Sequence, residues 1–262
     1  MSSLLNNIGY RLAHFLSDES EEQQTTATCT TEALKAALNP GDVLLVDGGS
    51  RISMAIKYIT QSTWSHATLY IGQYQSEEKE EKYDHALIEA DLKKGVRIVP
   101  LNMYCSKHMR ICRPVGLSSE EIQQICDYML ERIGYQYDLK NIFDLARYLI
   151  QTPPVPKKHR RKLLALGSGD PTKAICSSLI AQAFQQVNYP ILPVLDPEKT
   201  NGEAAKQSQE EILHIRHHSL FAPRDFDVSP YFQIVKPSIR DGFNHHNLKW
   251  ADESNGEQYS SE

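Results

Sequence analysis

The chain has 262 residues, enough for one large domain or two small ones. A hydrophobic fraction of 40% and a charged fraction of 23% are ordinary for a soluble globular protein. The net charge of −5 gives no global argument for nucleic acid or an anionic membrane, and no apolar run approaches the roughly 18–20 residues of a membrane span.

Leu4, Leu5, Ile8, Leu12, Phe15 and Leu16 share one helical face, which predicts a helix docked on the domain. A peripheral membrane contact through residues 1–16 is the alternative, but Arg11 and His14 make a poor cationic face for it. The N-terminus lacks a charged segment followed by a long apolar core, so no signal peptide is expected. Residues 18–31 are acidic, then Gln/Thr-rich, and read as a linker. Thr31 is a candidate cap for a short helix carrying Leu34, Ala37 and Leu38, which Asn39-Pro40-Gly41 ends.

Asp42 to Asp47 reads as a strand, apolar on both faces, and Gly48-Gly49-Ser50 turns the chain. Ile52, Ala55, Ile56 and Ile59 predict a helix to about Thr60. Trp64 to Ile71 is a second strand, with Ala67, Leu69 and Ile71 on one face and His66, Thr68 and Tyr70 on the other. Gln75 to Asp84 reads as a charged hairpin loop. Ala86–Ala90, Gly95–Pro100 and Met109–Cys112 are the next three strands, with Leu87 and Glu89 on one face.

Ser118 and Glu121 fit a capping box, followed by an apolar stripe from Ile122 to Ile133 that Gly134 closes. A second helix is predicted over about 140–150, capped by Asp138. Pro153 to Pro156 breaks the pattern, and the basic run 157–162 reads as a solvated loop, with phosphate or acidic lipid as its functional alternative. A helix carrying Leu179, Ile180, Ala183 and Phe184 begins near Cys176. Three prolines between Tyr189 and Asn201 mark an irregular loop, and residues 203–215 read as a mostly polar helix. Pro223 to Pro230 is a turn or short helix, Tyr231–Val235 a last strand, and the residues beyond Ser238 a polar tail. Strands first and helices later predict an α+β fold, helices packed on one mainly antiparallel sheet. The expected organisation is an N-terminal helix and acidic linker over 1–38, a catalytic domain over 39–238 and a tail over 239–262.

Three residues raise a chemical question. Cys176 sits in the first turn of an apolar helix, where unpaired N–H groups and the helix dipole favour a thiolate and can bring a thiol from about 8.5 to roughly 3.5–7.5. Plain packing is the alternative role for it. His66 lies at the start of a strand, and Glu89 lies in a short apolar strand where a buried carboxylate needs a partner. A cysteine nucleophile needs a base, and the base needs a third group to hold its tautomer. Cysteine at a helix start, histidine on one strand and glutamate on the next is one way to build that unit; structural roles for each remain the alternative.

Several separated segments carry a resemblance to a known family. They are Pro40-Gly41-Asp42-Val43-Leu44-Leu45, Ser62-Thr63-Trp64-Ser65-His66-Ala67-Thr68-Leu69-Tyr70-Ile71-Gly72, and Ile88-Glu89-Ala90 followed by Gly95-Val96. They continue with Gly134-Tyr135-Gln136-Tyr137-Asp138, Ile175-Cys176-Ser177-Ser178-Leu179-Ile180, and Pro223-Arg224-Asp225-Phe226 with Ser229. In this order they resemble the circularly permuted papain-like hydrolases of the NlpC superfamily, the YiiX/YaeF-type permuted amidases. The histidine precedes the cysteine, as in the permuted group and unlike ordinary papain-like enzymes. The resemblance implies a permuted papain-like fold with the nucleophile at a helix N-terminus, Cys176 as nucleophile, His66 as base and Glu89 as third member. It offers Tyr135, Tyr137 and Asp138 as substrate-binding candidates, with a purely structural role as the alternative. The acidic N-terminal extension, the basic insertion before Cys176 and the lack of an export signal depart from the family pattern.

The implied activity is hydrolysis of a peptide-like or N-acyl amide through an acyl-enzyme. A lipid thioesterase or acyltransferase like the lecithin:retinol acyltransferase group, and a non-catalytic binding module, are the competing functions. The expected partner is a small peptide-like or acyl-lipid substrate and not nucleic acid. No cofactor is expected. Five cysteines without a C-x-x-C pair offer neither a zinc ribbon nor a thioredoxin motif and fit reduced thiols in the cytoplasm. His214, His217, His218, His245 and His246 read as solvated surface and not as metal ligands, and Cys105 and Cys112 as ordinary thiols.

Overall fold

A computed structural model of the chain describes residues 29–76, 81–91, 93–135, 176–192 and 221–237, with short pieces at 194–195, 213–214, 246, 250–251 and 258–259. The predicted N-terminal helix, the helix over 140–150, the basic run at 157–162 and the polar helix over 203–215, save Leu213 and His214, lie outside the described residues.

The elements in order are α1 (Thr31–Ala37), β1 (Val43–Val46), α2 (Arg51–Thr60), β2 (His66–Gln75), β3 (Lys82–Asp91), β4 (Gly95–Pro100) and a 3-10 turn (Leu101–Met103). There follow β5 (Met109–Pro114), α3 (Ser119–Leu130), α4 (Cys176–Gln186), β6 (Val194–Leu195), β7 (Leu213–His214), α5 (Pro223–Asp227), β8 (Phe232–Val235), β9 (Trp250–Ala251) and β10 (Gln258–Tyr259). Six strands form one antiparallel sheet in the order β4-β3-β2-β1-β5-β8. The fold is the α+β arrangement expected, helices packed on an antiparallel sheet.

The apolar run of β1 is explained by its central place. Val43 and Leu45 join a core layer with α3 and α4, and Leu44 and Val46 join a second layer with Leu34 and Leu38 at the α1 end. Both faces of the strand are therefore covered, and all four side chains are buried. On β2, Ala67 and Leu69 face the α3/α4 layer while Tyr70 faces the other. That is the alternation read from the sequence.

The β2–β3 hairpin is longer than expected. The loop read as 75–84 shrinks to the turn between Gln75 and Lys82, which pair in register, and the Ser76 N–H donates to the Glu81 carbonyl at 2.9 Å. Main-chain pairing at the solvent end of an antiparallel hairpin needs no apolar side chain, so polar residues there hid the strand. Gly72, with φ +81°, sits where the register shifts. A bulge of this kind needs a backbone conformation that glycine adopts without strain.

The capping box at the start of α3 is present, the Ser118 hydroxyl accepting from the Glu121 N–H and the Glu121 carboxylate from the Ser118 N–H. The helix itself ends at Leu130, before the Gly134 turn. The Gly41-Asp42 segment is structural. Asp42 is 1% exposed and accepts from Arg113 Nε at 2.9 Å and Nη2 at 2.7 Å, and from the Asn39 N–H at 2.8 Å. This clasp ties the α1–β1 turn to β5. The closing segment braces α4 in a similar way: Ser177 Oγ donates to the Phe221 carbonyl at 2.8 Å, and Phe226 and Phe232 pack on Phe184.

Candidate active site

Cys176 is the first residue of α4, and the fold sets that end of the helix against the start of β2. The Ala67 N–H donates to Cys176 Sγ at 3.2 Å, a contact between residues 109 positions apart. His66 is the neighbour of that donor. Its ring is 23% exposed, and Nε2 stands 3.0 Å from Glu89 Oε2.

Sheet register explains the His66–Glu89 meeting. Leu69 pairs with Ile88 across β2 and β3, so extending the ladder sets Glu89 beside Thr68 and His66 two residues further along the same face. Diagonal neighbours at this spacing are within reach of long side chains. An ionised carboxylate only accepts, so the ring proton sits on Nε2 and Nδ1 is the nitrogen left for the thiol.

Glu89 is 2% exposed, and its charge is met from three sides. Oε2 accepts from His66 and from the Tyr104 hydroxyl, and Arg97 Nη2 stands 2.6 Å from Oε1. The Arg97 contact is an ion pair without hydrogen-bond alignment, because Oε1 and Arg97 Nε have no hydrogen-bond partner. Burial alone would raise the Glu89 pKa. The hydrogen bonds from His66 and Tyr104 and the His66 and Arg97 charges outweigh it and bring it to about 2. Burial likewise disfavours the imidazolium of His66, but negative charge and hydrogen bonding at Cys176 and Glu89 prevail, and its pKa is raised well above the ordinary 6.5. Burial, then the Glu89 charge, pushes the Tyr104 hydroxyl far up, so it remains a donor.

A cleft of about 570 Å³ opens on this group. Cys176, His66, Glu89 and Tyr104 line one side, and Gly48, Gly49, Ser50 and Ser53 at the start of α2 line another. Gly48 donates its N–H to Ser65 Oγ at 2.9 Å, and a Cβ there would stand 2.4 Å from Ser53 Oγ. The close approach of the turn therefore requires glycine. Cys176 is 5% exposed, so its sulfur is reached through the cleft.

Cys176, His66 and Glu89, the three residues singled out from the sequence, are thus brought together. Tyr135 is not with them. It is 63% exposed, is not among the residues lining the cleft, and its carbonyl accepts the Val96 N–H at 3.0 Å. Tyr137 and Asp138 lie outside the described residues. Sequence reading missed Tyr104 and Arg97. Arg97 had a signal, since the short turn after Asp91 sets it opposite Glu89 in register. Tyr104 had none, because it arrives from the 3-10 turn after β4. Burial pushes the thiol of Cys126 up to about 11 and that of Cys112 up further. Among the described residues no group of three or more His, Cys, Asp or Glu side chains could hold a metal ion. No helix among them is long and apolar enough to cross a membrane.

Residues 37–148 match the model of the permuted papain-like amidase enzymes, YaeF/YiiX, C92 family. His66 and Glu89 fall inside that stretch and Cys176 beyond it. The probable lipoprotein peptidase YaeF of Escherichia coli (strain K12) is 22% identical over 218 residues, covering 77% of this chain and 72% of that protein. The crystal structure of the metalloprotein yiiX from Escherichia coli O157:H7 aligns at 16% identity with a TM-score of 0.45, over 76% of this chain and 97% of that one. Residues 37–148 thus carry a match to the permuted papain-like YaeF/YiiX amidase family, and the longer alignment with YaeF is a likeness to a protein of that name.

Proposed function

We propose that the protein is a cysteine amidase that cleaves a peptide-like or N-acyl amide through Cys176, His66 and Glu89. The supporting observation is the 3.0 Å contact of His66 with Glu89 beside a sulfur that accepts the Ala67 N–H at 3.2 Å, all facing one cleft. The match to an amidase family model and the likeness to a protein named a probable peptidase favour an amide over other acyl compounds.

In this mechanism the Cys176 thiolate attacks the carbonyl carbon while His66 is an imidazolium, the state that its raised pKa favours. The Ala67 N–H stabilises the thiolate before attack. The Cys176 backbone N–H, at the first residue of α4, is the proposed donor to the tetrahedral oxyanion. Collapse breaks the C–N bond as His66 gives its proton to the leaving nitrogen, and a thioester remains on Cys176. His66, now neutral, takes a proton from water as the water attacks the thioester; the acid leaves and the thiolate–imidazolium pair returns. Glu89 holds the ring and balances its charge throughout.

The test compares N-acyl amide, thioester and phospholipid panels together with a thiol-directed probe near neutral pH. Amide turnover abolished by Cys176→Ala is expected, with Cys176 labelled faster than Cys105 and slowed on the order of a hundredfold by His66→Ala. Turnover surviving Cys176→Ala removes the nucleophile. Preference for thioester or phospholipid replaces the amidase by a thioesterase or acyltransferase. Labelling of Cys176 no faster than Cys105, with no turnover, leaves a binding module.

A further inference from the structure

Among the described residues, three buried side-chain polar atoms have no hydrogen-bond partner: Thr68 Oγ1, Glu89 Oε1 and Arg97 Nε. Strand register sets their residues in one row. Arg97 pairs with Glu89 across β4 and β3, and the β2–β3 register extended beyond Leu69–Ile88 sets Thr68 opposite Glu89 on its other flank. Opposed residues on antiparallel strands project to the same face of the sheet. That face carries the second apolar layer, in which Tyr70, Leu87 and Val99 each lie two positions along a strand from a member of the row. On β1, Leu44 pairs with Thr68. Thr68 is fully buried, with an apolar side chain on the β1 side and a buried carboxylate on the β3 side.

A hydroxyl at this place calls for a physical reason. Valine has the same branched shape and would suit the apolar layer with no polar atom to bury. A buried hydroxyl without a partner is costly, and so is a buried carboxylate oxygen. Proteins satisfy such groups with buried water, which makes about three hydrogen bonds to otherwise unpaired atoms. Two polar groups too far apart for a direct bond are the setting for such a bridge. We propose that one bound water joins the Thr68 hydroxyl to Glu89 Oε1, which makes Thr68 a positioning residue for His66. The Thr68 O–H donates to the water and the water donates to Oε1, since an ionised carboxylate only accepts. Glu89 is then held at both oxygens: Oε2 by His66 from β2 and by Tyr104, and Oε1 by the water and by the charge of Arg97, whose Nη2 stands 2.6 Å away. A carboxylate fixed in its plane keeps Oε2 on the imidazole, and the imidazole in turn keeps Nδ1 toward the sulfur. The role of Thr68 rests on the assignment of Cys176, His66 and Glu89 as the catalytic unit.

Thr68→Val keeps the branched shape and removes the hydroxyl, whereas Thr68→Ser keeps the hydroxyl. In the full chain carrying Thr68→Val, the Glu89 carboxyl pKa, followed by NMR titration, is expected to rise by about one pH unit. Alkylation of Cys176 by iodoacetamide at pH 7, with the modified peptide identified by mass, is expected to slow about fivefold. Thr68→Ser is expected to restore both, with Cys105 alkylated at an unchanged rate throughout. A Glu89 pKa unmoved by Thr68→Val, or a Thr68→Ser variant as slow as Thr68→Val, overturns the proposal. A crystal structure of the wild-type chain tests it without a variant. A water within about 3 Å of both Thr68 Oγ1 and Glu89 Oε1 is expected, and a direct bond or a dry gap between them overturns it. Failure of the catalytic reading looks different. Cys176 alkylation is then indifferent to His66→Ala and Glu89→Gln while the water and the rise of the Glu89 pKa remain, so the bridge stands and the positioning role falls.

Discussion

Replacing Glu89 by glutamine keeps the volume of the side chain and removes its charge. In the wild-type protein this carboxylate is 2% exposed and its pKa falls from 4.5 to about 2. A depressed carboxylate pKa adds stability that is fully present above the unfolded value and is lost as pH falls through the folded one. At about 1.4 kcal/mol per pH unit, the gap between 4.5 and about 2 corresponds to about 3 kcal/mol at pH 7. The same linkage leaves about 1.4 kcal/mol at pH 3 and little near pH 2. Glu89→Gln is therefore expected to unfold in urea about 3 kcal/mol more easily than wild type at pH 7, with the two curves converging as the pH is lowered. Near-neutral thiol labelling of Cys176 should slow in parallel, because the imidazolium loses its counter-charge. A stability difference that is absent at pH 7, or that stays constant down to pH 3, would refute the reasoning: the three contacts to Glu89 would then not be holding its charge.

On the proposed mechanism, the raised His66 pKa would set the alkaline side of the activity profile. As the pH rises through it the imidazolium is lost and with it the acid for the leaving group, so kcat/KM for an amide should decline only well above 6.5. Tyr104→Phe keeps the ring but removes the hydroxyl that donates to Glu89. It should cost roughly 1.5–3 kcal/mol in chemical denaturation and raise the Glu89 carboxyl pKa, read by NMR titration. Arg113→Met leaves the buried Asp42 without its bidentate partner, and about 3–5 kcal/mol should be lost in thermal unfolding, partly restored by adding Asp42→Asn. Gly48→Ala drives a Cβ against Ser53 Oγ and Ser65 Oγ and should cost about 1–3 kcal/mol while slowing Cys176 labelling through the displaced cleft wall.

Much of the site was legible because its members sit on elements with strong local signals. The period-2 pattern of β2 put His66 on the face opposite Ala67 and Leu69, and the burial of Glu89 in an apolar strand demanded a partner. Tyr104 was not legible. The residue reaches Glu89 from a short 3-10 turn, and no periodicity in the chain announces where such a turn delivers a side chain. The extension of the β2–β3 hairpin was hidden for a related reason, since its outer rungs rest on main-chain pairing that side-chain polarity does not report.

By itself the amino-acid sequence determined the local and ordered features: the four-residue apolar strand β1, the Ser118–Glu121 cap, the helix behind Cys176, and histidine before cysteine along the chain. These follow from backbone preference and burial of apolar faces, which act over a few residues. The tertiary structure alone decided that Cys176 meets the Ala67 N–H across 109 positions and that Arg97 and Tyr104 close around Glu89. Those contacts depend on strand register and on the packing of α4 against β2 and β3, and chain spacing carries no record of either.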